Sequence, residues 1–482
     1  MEKSLRSKTQ SHVATKLILP GGDIVDLEKV ATSELPPIVR EYVQKSLGKG
    51  RETIPYDRFQ EILTRQRLII SSAPISRGHH LFLARGELLR QLIFDLVEIF
   101  MRPLQPIRLG LPPVFDLPED QTHPVFDLIH KFQDKLFHIE GLTRSALQYA
   151  SDPLLFQWFS NTCLPATILP LTIYSPGTFF RMEQTGELRG ILRSRSLNIP
   201  DYHRFATDGL DAFLEAHRCT VRVMDLLCGQ DGWLLVQDCW IQFFDQFQDR
   251  LWPALAGPEE KMRYVIVRLL RDQTHYYSLQ HQYVRPLLLG YGTQVGNLQW
   301  DQTNARRFNI QWRSEKSNAV SPCDIIHGTL VGRIEKVFAV LTDIALRAQA
   351  ENKVPSFPLW LSPVQLRIMP VKPVHLSAIQ NQLKALTTMH VRLDVDDREI
   401  PLRDRIRQAE QEWIPYVVVI GDREVADDNV TPRVRGGHVS PNRRLPLQAL
   451  ADWIVRQQDT LPFRPLPLPI YLSRRVGIEE LI

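Results

Sequence analysis

The stretch 178–205 combines three side-chain types that bind different chemical groups. Arg181 is followed two positions later by Glu183, and Asp201 and His203 stand at the far end. Three more arginines lie between these pairs: Arg189, Arg193 and Arg195. A guanidinium group pairs with phosphates, a carboxylate accepts from an amine, and an imidazole binds metal ions. The stretch therefore predicts a site for an anionic ligand, and a solvated basic hairpin is the alternative.

The elements that must position these residues are strands flanked by helices. The stretch 178–205 is itself typical of two strands joined by an exposed loop. Aromatic and β-branched residues alternate over 262–312, which predicts successive antiparallel strands. Apolar residues at helical spacing predict helices over 83–101 and 334–349. The first of these helices should stop at Pro103, because proline removes a backbone donor.

Length and composition limit the class of protein. A chain of 482 residues predicts more than one domain, because single cores stop growing at roughly 250–300 residues. The net charge of +4 is consistent with a nucleic-acid partner without requiring one. Five scattered cysteines, none in a Cys-x-x-Cys pair, favour a reducing compartment over a disulfide framework. No apolar run approaches the roughly 20 residues of a membrane span, so a cytoplasmic protein is expected.

The sequence changes character after residue 359. Strands with continuous apolar runs alternate with helices: the strands lie within 359–371, 389–397 and 414–422, and the helices over 374–387 and 401–413. A short strand near 430–436 and a final helix over 445–458 complete the segment. Such alternation predicts an α/β domain of the parallel type, with about 110 residues.

Several long segments resemble class II aminoacyl-tRNA synthetases, the archaeal type of threonyl enzyme in particular. FRMEQTGELRGILRSR resembles the second motif of the family, and NLQWDQTNARRF resembles the strand that closes its nucleotide site. IIHGTLVGRIEKVFAVL resembles the third motif. FPLWLSPVQLRIMPV and the segments up to VTPRVRG are similar to the anticodon-binding domain. The resemblance implies an α+β catalytic domain built on an antiparallel sheet, followed by a smaller α/β anticodon-binding domain.

The resemblance also implies a domain organisation. A partly flexible N-terminal extension is expected over 1–60, the catalytic domain over 61–352 and the anticodon-binding domain over 353–482. The N-terminal editing domain of the archaeal type is expected to be absent, since few residues precede the catalytic region. Pro106 falls on the first-motif proline, at a helix–strand junction that forms the dimer interface in this family. A homodimer is therefore expected.

In the nucleotide site, the resemblance implies a role for each matching residue. Arg181 would clamp the α-phosphate of ATP and stabilise charge in the transition state. Glu183 would accept from the adenine amino group, and Arg193 and Gln299 would contact the nucleotide. Lys336 takes the place of the third-motif arginine on the γ-phosphate. ATP with Mg²⁺ is the implied cosubstrate.

In the amino-acid site, the resemblance implies threonine bound through a zinc ion. The family holds zinc with one cysteine and two histidines, and the histidines fall on His203 and His327. The cysteine is absent, and its place falls near Ser151 and Asp152, of which Asp152 could supply an oxygen ligand. Asp201 would pair with the substrate ammonium group.

The implied activity is that of a threonine–tRNA ligase, which activates threonine with ATP and transfers it to tRNA. Glu424 and Arg433 match anticodon-reading positions, where a carboxylate and a guanidinium can contact base edges. A surface salt bridge is the alternative role for either residue alone.

The active-site sequence departs from the family pattern at four places. The departures are the missing cysteine at Ser151/Asp152, Leu197 where an aromatic residue would stack on adenine, Arg333 where the turn carries a small residue, and Lys336 for arginine. A lysine keeps the charge but loses the planar fork of arginine. The alternative to a ligase is therefore a catalytically impaired paralog that binds tRNA or an amino acid in a regulatory role.

Overall fold

The computed structural model describes residues 12–19, 22–46, 55–255, 264–273, 275–290, 292–441, 443–458 and 460–475. Residues 1–11 of the N-terminal extension expected over 1–60 lie outside this part of the chain, and residues 12–18 form a strand.

The described residues form two compact units. The first unit contains the described parts of Met1–Ile54, Arg77–His79 and Phe100–Val340, and the second contains those of Pro55–Ser76, His80–Ile99 and Leu341–Ile482. The domain limits expected near residues 60 and 352 stay a prediction.

A large mixed sheet organises the first unit. Its strands, numbered in chain order along the protein, are β1 (His12–Ile18), β2 (Ile24–Asp26), β5 (Ile107–Arg108), β10 (Leu171–Phe180), β11 (Ser196–Ala206), β12 (Leu234–Trp240), β13 (Val265–Leu270), β14 (Tyr277–Pro286), β15 (Gly292–Asp301) and β18 (Asp324–Thr329). They lie in the order β2-β1-β13-β12-β14-β15-β18-β11-β10-β5. The pairing is antiparallel except between β12 and β13 and between β10 and β5.

The predicted hairpin in 178–205 is present. β10 and β11 pair antiparallel over their whole length, from Leu171 opposite Phe205 to Phe180 opposite Ser196. β11 then pairs with β18, and β18 pairs with β15, so four strands from three sequence motifs become neighbours. This arrangement confirms the antiparallel core of the predicted catalytic fold.

Two details of the sheet did not follow from the sequence patterns. Residues 12–18 and 24–26 contribute β1 and β2 to the edge of the sheet, with Leu17 opposite Ile266 of β13. The strands in 262–312 were expected to pair in succession, but β12 lies between β13 and β14. The local pattern identified the strands. The order of β13, β12 and β14 goes with the burial of both faces of β12 and β13, which the local pattern does not specify.

Short strands form smaller sheets within each unit. In the first unit these are β6 (Val114–Asp116), β7 (His138–Ile139) and β8 (Leu142–Leu147), and separately β9 (Cys163–Pro165), β16 (Gln311–Arg313) and β17 (Val320–Pro322). In the second unit they are β3 (Ile69–Ile70) with β4 (Leu81–Phe82), and β19 (Leu366–Pro370), β20 (Leu393–Val395), β21 (Tyr416–Ile420) and β22 (Arg433–Val434).

Helices flank these sheets. They are α1 (Pro37–Ser46), α2 (Tyr56–Arg65), α3 (Ala84–Met101), α4 (Val125–Ile129), α5 (Asp152–Phe159), α6 (Gly209–Cys228), α7 (Ile241–Leu255), α8 (Asn304–Arg307), α9 (Ile334–Ala350), α10 (Pro373–Ala378), α11 (Gln380–Leu386), α12 (Leu402–Gln411), α13 (Asp422–Asp427) and α14 (Leu447–Arg456). The helices predicted over 83–101 and 334–349 are α3 and α9. The helix predicted over 374–387 is broken between α10 and α11. Among the described helices, none is long and apolar enough to cross a membrane.

The second unit contains the predicted α/β domain. β20, β19 and β21 are parallel, and β22 adds an antiparallel edge. A buried network at the end of β19 joins three arginines to two carboxylates. Arg367 donates to Asp394 at 2.8 Å and to Glu412 at 3.0 Å, and Glu412 also accepts from Arg85 at 2.6 Å. Arg475 completes the network on Asp394.

Candidate active site

A cavity of about 290 Å³ opens over β11, β15 and β18 in the first unit. Its lining includes six of the predicted site residues: Asp152, Arg181, Asp201, Gln299, His327 and Lys336. Carboxylates and an imidazole lie among this lining together with the cations Arg181, Arg333 and Lys336. The cavity therefore offers partners for both an ammonium group and a phosphate.

Cross-strand register brings the two predicted histidines together. His203 of β11 lies directly opposite His327 of β18, with ring centroids 4.5 Å apart. The next pair is Tyr202 and Gly328, where a Cβ on the glycine would lie 2.4 Å from the tyrosine ring. Only glycine therefore lets the two strands approach this closely beside His327.

Asp152 joins the two histidines from the start of α5. One of its oxygens, Oδ1, lies 2.8 Å from His327 Nδ1 and 3.2 Å from His203 Nε2. Phe156, one turn further along α5, packs edge-on against both imidazoles. The apolar face of α5 thus fixes where its first residue enters the site.

A second carboxylate holds the other side of His327. Asp301, fully buried at the end of β15, lies with Oδ2 2.8 Å from His327 Nε2. Burial disfavours the imidazolium, but hydrogen bonds with Asp152 and Asp301 raise the pKa of His327 to about 10. Burial also opposes the charge on Asp152, yet hydrogen bonds with His203 and His327 hold the pKa of that carboxyl well below its usual range.

The chemistry of this donor set fits zinc. Asp152, His203 and His327 each offer one ligand atom, and these atoms lie within 4.8 Å of one another. Two imidazoles with one carboxylate are an established zinc ligand set, and a carboxylate behind a ligating histidine is its usual support. His203 Nδ1 is buried and has no hydrogen-bond partner in the described part of the chain. Coordination of a metal by these three residues stays a prediction.

Asp201 lies beside this cluster on β11. Ser151, immediately before α5, donates a short hydrogen bond from its hydroxyl to Asp201 Oδ2. Burial raises the pKa of Asp201, and the charge of nearby Asp152 raises it further. A cationic group that arrives beside Asp201 would oppose both effects, and the role of Asp201 in binding the substrate stays a prediction.

Arg181 stands where β10 ends. Its Nε donates to the carbonyl oxygen of Tyr149 at 3.1 Å, and its guanidinium lies 5.3 Å from the centre of the Phe132 ring. These contacts leave the rest of the guanidinium directed at the cavity that it lines. The geometry is suited to a phosphate, since a guanidinium binds oxyanions through two parallel hydrogen bonds.

Glu183 and Arg193 lie next to the cavity but do not line it. Arg193 donates to Glu183 Oε2 at 2.8 Å, and Lys135 donates to the same oxygen at 3.0 Å. Burial would raise the pKa of Glu183, but these hydrogen bonds lower it. Both residues are thus engaged with each other, and their contacts with the nucleotide stay a prediction.

The residues at the start of α9 add two cations. Lys336 donates to the carbonyl oxygen of Gln294 at 3.1 Å. Burial, together with the charges of Arg333 and Arg181, lowers the pKa of Lys336 to about 7. Arg333 lines the same cavity, as expected for a residue at the third-motif turn.

Leu197 does not line the cavity. Its side chain is fully buried on β11, opposite Phe179 of β10. The absence of an aromatic residue at this position therefore does not open a gap in the cavity wall.

Several residues of the site were missed in the sequence. Tyr276 donates from its hydroxyl to Gln299 Oε1 at 3.0 Å and lines the cavity, as does Tyr149. Asp301 shares a hydrogen bond with His327, and Lys135 donates a hydrogen bond to Glu183. Tyr276 and Asp301 lie within segments that were identified as strands, so alternation could have placed them on the cavity face, whereas Lys135 left no local signal.

The anticodon-reading candidates lie in the second unit. Glu424, on α13, accepts from the backbone N–H of Gly421 at 3.1 Å. Arg433, on β22, is exposed. Glu424 therefore caps the start of α13. Arg433 is exposed to solvent, so its side chain is the more accessible of the two to a ligand.

Comparison with protein families gives matches to both units. Residues 137–345 match the tRNA synthetase class II core domain (G, H, P, S and T). Residues 365–457 match the anticodon binding domain. The predicted class II catalytic core and anticodon-binding domain are confirmed.

Curated relatives match over almost the whole chain. The threonine–tRNA ligase of Methanopyrus kandleri is 30% identical over 469 residues, which are 95% of this chain and 74% of that protein. This chain belongs to the threonine–tRNA ligase family. The family member from Thermofilum pendens is 32% identical with the same coverage.

Solved structures of the family and its neighbours share the fold. A structure described as the RNA binding domain of threonyl-tRNA synthetase from Cryptosporidium parvum superposes with a TM-score of 0.69 at 18% identity, covering 84% of this chain and 98% of that one. Prolyl-tRNA synthetase from Giardia lamblia, in complex with prolyl-adenylate, gives 0.64 at 16% identity, covering 85% and 82%. Of the two functional hypotheses, the family members support the ligase, and none of those named here favours the regulatory paralog.

Proposed function

We propose that this chain is an ATP-dependent threonine–tRNA ligase. The observation that carries the proposal is the cavity of the first unit, which is lined by Asp152, Asp201 and His327 together with Arg181 and Lys336. The buried His203 lies behind this lining and forms a cluster with Asp152 and His327. The first group suits an amino acid, and the second suits the phosphates of a nucleotide. Membership of the threonine–tRNA ligase family supports the same assignment.

The reaction begins with attack of the threonine carboxylate on the α-phosphorus of ATP. The bond to the bridging oxygen breaks, and pyrophosphate leaves with the electron pair. Arg181 stabilises the negative charge that grows on the α-phosphate oxygens, and Lys336 lies where the departing phosphates would be held. ATP is expected to enter with Mg²⁺. A ribose hydroxyl at the tRNA 3′ end then attacks the adenylate carbonyl, and AMP leaves.

Amino-acid selection rests on the other group of residues. Asp201 would accept a hydrogen bond from the substrate amino group, which must be a neutral amine to bind a metal, and Asp152, His203 and His327 would hold zinc. Bound there, zinc would take the amino group and hydroxyl of threonine, which separates threonine from the isosteric valine. Asp301 keeps the His327 ring in place through its hydrogen bond at 2.8 Å.

Three further features complete the proposal. Arg433 and Glu424 would read the anticodon of the tRNA. A homodimer would form around Pro106 and the edge strand β5, where Ile107 is 51% exposed. Five cysteines without a disulfide agree with action in the reducing cytoplasm.

ATP–pyrophosphate exchange tests the activation step. Exchange should depend on threonine, with valine and serine as competitors, and Arg181→Ala should abolish it. Arg306→Gln, which removes an exposed arginine outside the cavity, is the matched control. A folded preparation that binds tRNA but shows no exchange with any amino acid would establish the regulatory paralog instead.

A further inference from the structure

The guanidinium of Arg333 has one nitrogen without a hydrogen-bond partner among the described residues. The residue precedes α9 and lines the cavity, and its Nη1 is buried with no hydrogen-bond partner among the described residues. No ion pair with a carboxylate is found for it in that part of the chain. A buried donor without a partner costs free energy, and a charged one costs more. A site that keeps such a group is suited to an anionic ligand.

The neighbouring carboxylates are already engaged. Glu335, the closest in sequence, accepts from the side chain of Asn198 at 2.6 Å and from its backbone N–H at 3.1 Å. Glu183 is held by Lys135 and by an arginine. Burial and the charge of Arg181 lower the pKa of Arg333 to about 10. The charges of Glu335 and Glu183 oppose this lowering, but among the described residues neither carboxylate forms an ion pair with Arg333.

The start of α9 brings the positive charges of Arg333 and Lys336 to the same cavity. Arg333 immediately precedes the helix and Lys336 is its third residue, with the Lys336 backbone N–H donating to the Arg333 carbonyl oxygen at 3.0 Å, and both side chains line the same cavity. α9 continues for 17 residues, so the dipole of the helix adds positive potential at its first turn. Gly332, with φ of +62°, turns the chain into the helix where a Cβ would lie 2.2 Å from the carbonyl oxygen of Val295.

We propose that Arg333 binds the pyrophosphate portion of ATP, and that it supplies the planar fork missing at Lys336. The proposal rests on the proposed function, because it assigns the ligand to the same cavity. An acidic amino acid is a less suitable ligand, since Asp152 and Asp201 carry negative charge in the amino-acid part of the cavity. The charged groups that act most on Arg333 are Arg181, Glu335, Glu183 and Arg193, and none belongs to that part.

The chemical consequence concerns the leaving group. When the bond between the α-phosphorus and the bridging oxygen breaks, the electron pair stays on pyrophosphate. A guanidinium with two parallel donors stabilises that charge better than an ammonium group. Arg333 would thus act both in binding ATP and in releasing pyrophosphate.

Calorimetric titration of the full chain with ATP, inorganic pyrophosphate and AMP, each without amino acid, tests the proposal. In Arg333→Gln, affinities for ATP and pyrophosphate should fall by roughly tenfold to a hundredfold, the effect of losing a charge-assisted hydrogen bond. Affinity for AMP should change by less than about threefold. Equal losses for AMP and pyrophosphate, or unchanged pyrophosphate affinity, would overturn the proposal.

Two further variants make the result specific. Arg333→Ser with Lys336→Arg moves the fork back to the family position, and it should recover most of the pyrophosphate affinity. Arg306→Gln should bind all three ligands like the unmodified chain. If Arg333→Gln instead changes only the response to amino acids, Arg333 belongs to the amino-acid site and the proposal fails. Because binding is measured without threonine, an inactive ligase could still give the predicted result.

Discussion

Asp301 Oδ2 lies 2.8 Å from His327 Nε2, and the same carboxylate also caps the next turn of the chain. Its Oδ1 accepts from the backbone N–H groups of Thr303 and Asn304 at 2.8 and 2.9 Å. The capping bonds fix the carboxylate, and the carboxylate in turn fixes which ring nitrogen of His327 faces the cavity. Asp301 therefore positions the His327 ring.

We expect Asp301→Asn to raise the KM for threonine by roughly tenfold to a hundredfold, the usual cost of losing such a support. The KM for ATP should stay nearly unchanged, because the nucleotide residues do not contact Asp301. Threonine-dependent exchange and metal content measure the two effects. Asp324→Asn, which alters a carboxylate bonded to Trp300 on the same strand as His327, is the control. An unchanged KM for threonine would contradict the prediction.

Asp152→Cys should increase zinc affinity. A thiolate is a softer and stronger zinc ligand than a carboxylate, so a gain of about tenfold or more is expected. Competition with a chromophoric chelator measures the affinity. Asp134→Cys places the same thiol on an exposed residue and should have no such effect. Equal zinc affinity in Asp152→Cys and the unmodified chain would exclude Asp152 as a ligand.

Pyrophosphate binding should become weaker as the pH rises above about 7, the pKa to which burial, Arg333 and Arg181 lower Lys336. The free protein loses the Lys336 ammonium over this range, while the anion binds the charged form. Binding near pH 8 should therefore take up a proton. Calorimetry in buffers of different ionisation enthalpy measures the uptake.

Lys336→Arg is the matched variant, because an arginine stays charged throughout. The groups that face Lys336 are Arg333 from the residue before its helix, Arg181 from the end of β10 and the Gln294 carbonyl from β15. Proton uptake that persists unchanged in Lys336→Arg would assign the titration to another group.

Glu412→Gln should loosen the second unit, because it weakens the contacts of Arg367 and Arg85. Breaking one partner of a buried ion pair costs about 3–5 kcal/mol, and the partial exposure of Glu412 places the expected loss at the lower end. Hydrogen exchange of the β19 amides is the measurement, because a chain of two units need not unfold in one step. Glu410→Gln, an exposed position on α12, should change protection by less than about 0.5 kcal/mol.

The same network predicts a dependence on pH. Burial raises the pKa of Glu412, but Arg367 and Arg85 outweigh it and hold this pKa well below its usual value of 4.5. Its contribution to stability is therefore complete above pH 4.5 and is lost as the pH falls toward the lowered value. Glu412→Gln should remove this part of the acid sensitivity.

Arg433→Gln should weaken tRNA binding without affecting ATP–pyrophosphate exchange. Loss of one guanidinium contact with a base edge costs about 1–3 kcal/mol. The KM for tRNA in aminoacylation and the rate of exchange separate the two steps. Arg456→Gln, an exposed arginine at the end of α14, is the control. Unchanged tRNA binding in Arg433→Gln would show that Arg433 does not contribute to tRNA binding.

Much of the fold could be predicted because its signals are local. Alternation identified β10, β11, β14 and β15, and apolar spacing identified α3 and α9. The order of the strands could not be predicted, since the position of β12 between β13 and β14 depends on contacts between distant segments. β1 escaped notice because a polar tail precedes it and a turn follows.

The site shows the same limit. His203 and His327 could be identified from the segments around them, and Asp152 from its distance before Arg181. The part played by Asp301 depends on the register of β15 against β18, which places Gln299 opposite His327 and brings the end of β15 to the far side of the ring. Lys135 reaches Glu183 from a segment 48 positions away.

The residues of the amino-acid pocket that match the family pattern stand on a different kind of element from those that depart from it. Four matching residues lie on paired strands: Asp201, His203, Gln299 and His327. The matching Arg181 lies one residue beyond the end of β10. The departing ones that line the cavity lie at helix starts: Asp152, Arg333 and Lys336. A helix start can take a new side chain without disturbing a ladder of strand hydrogen bonds. Evolution and protein engineering can therefore change substrate use at these three positions while the sheet stays as it is.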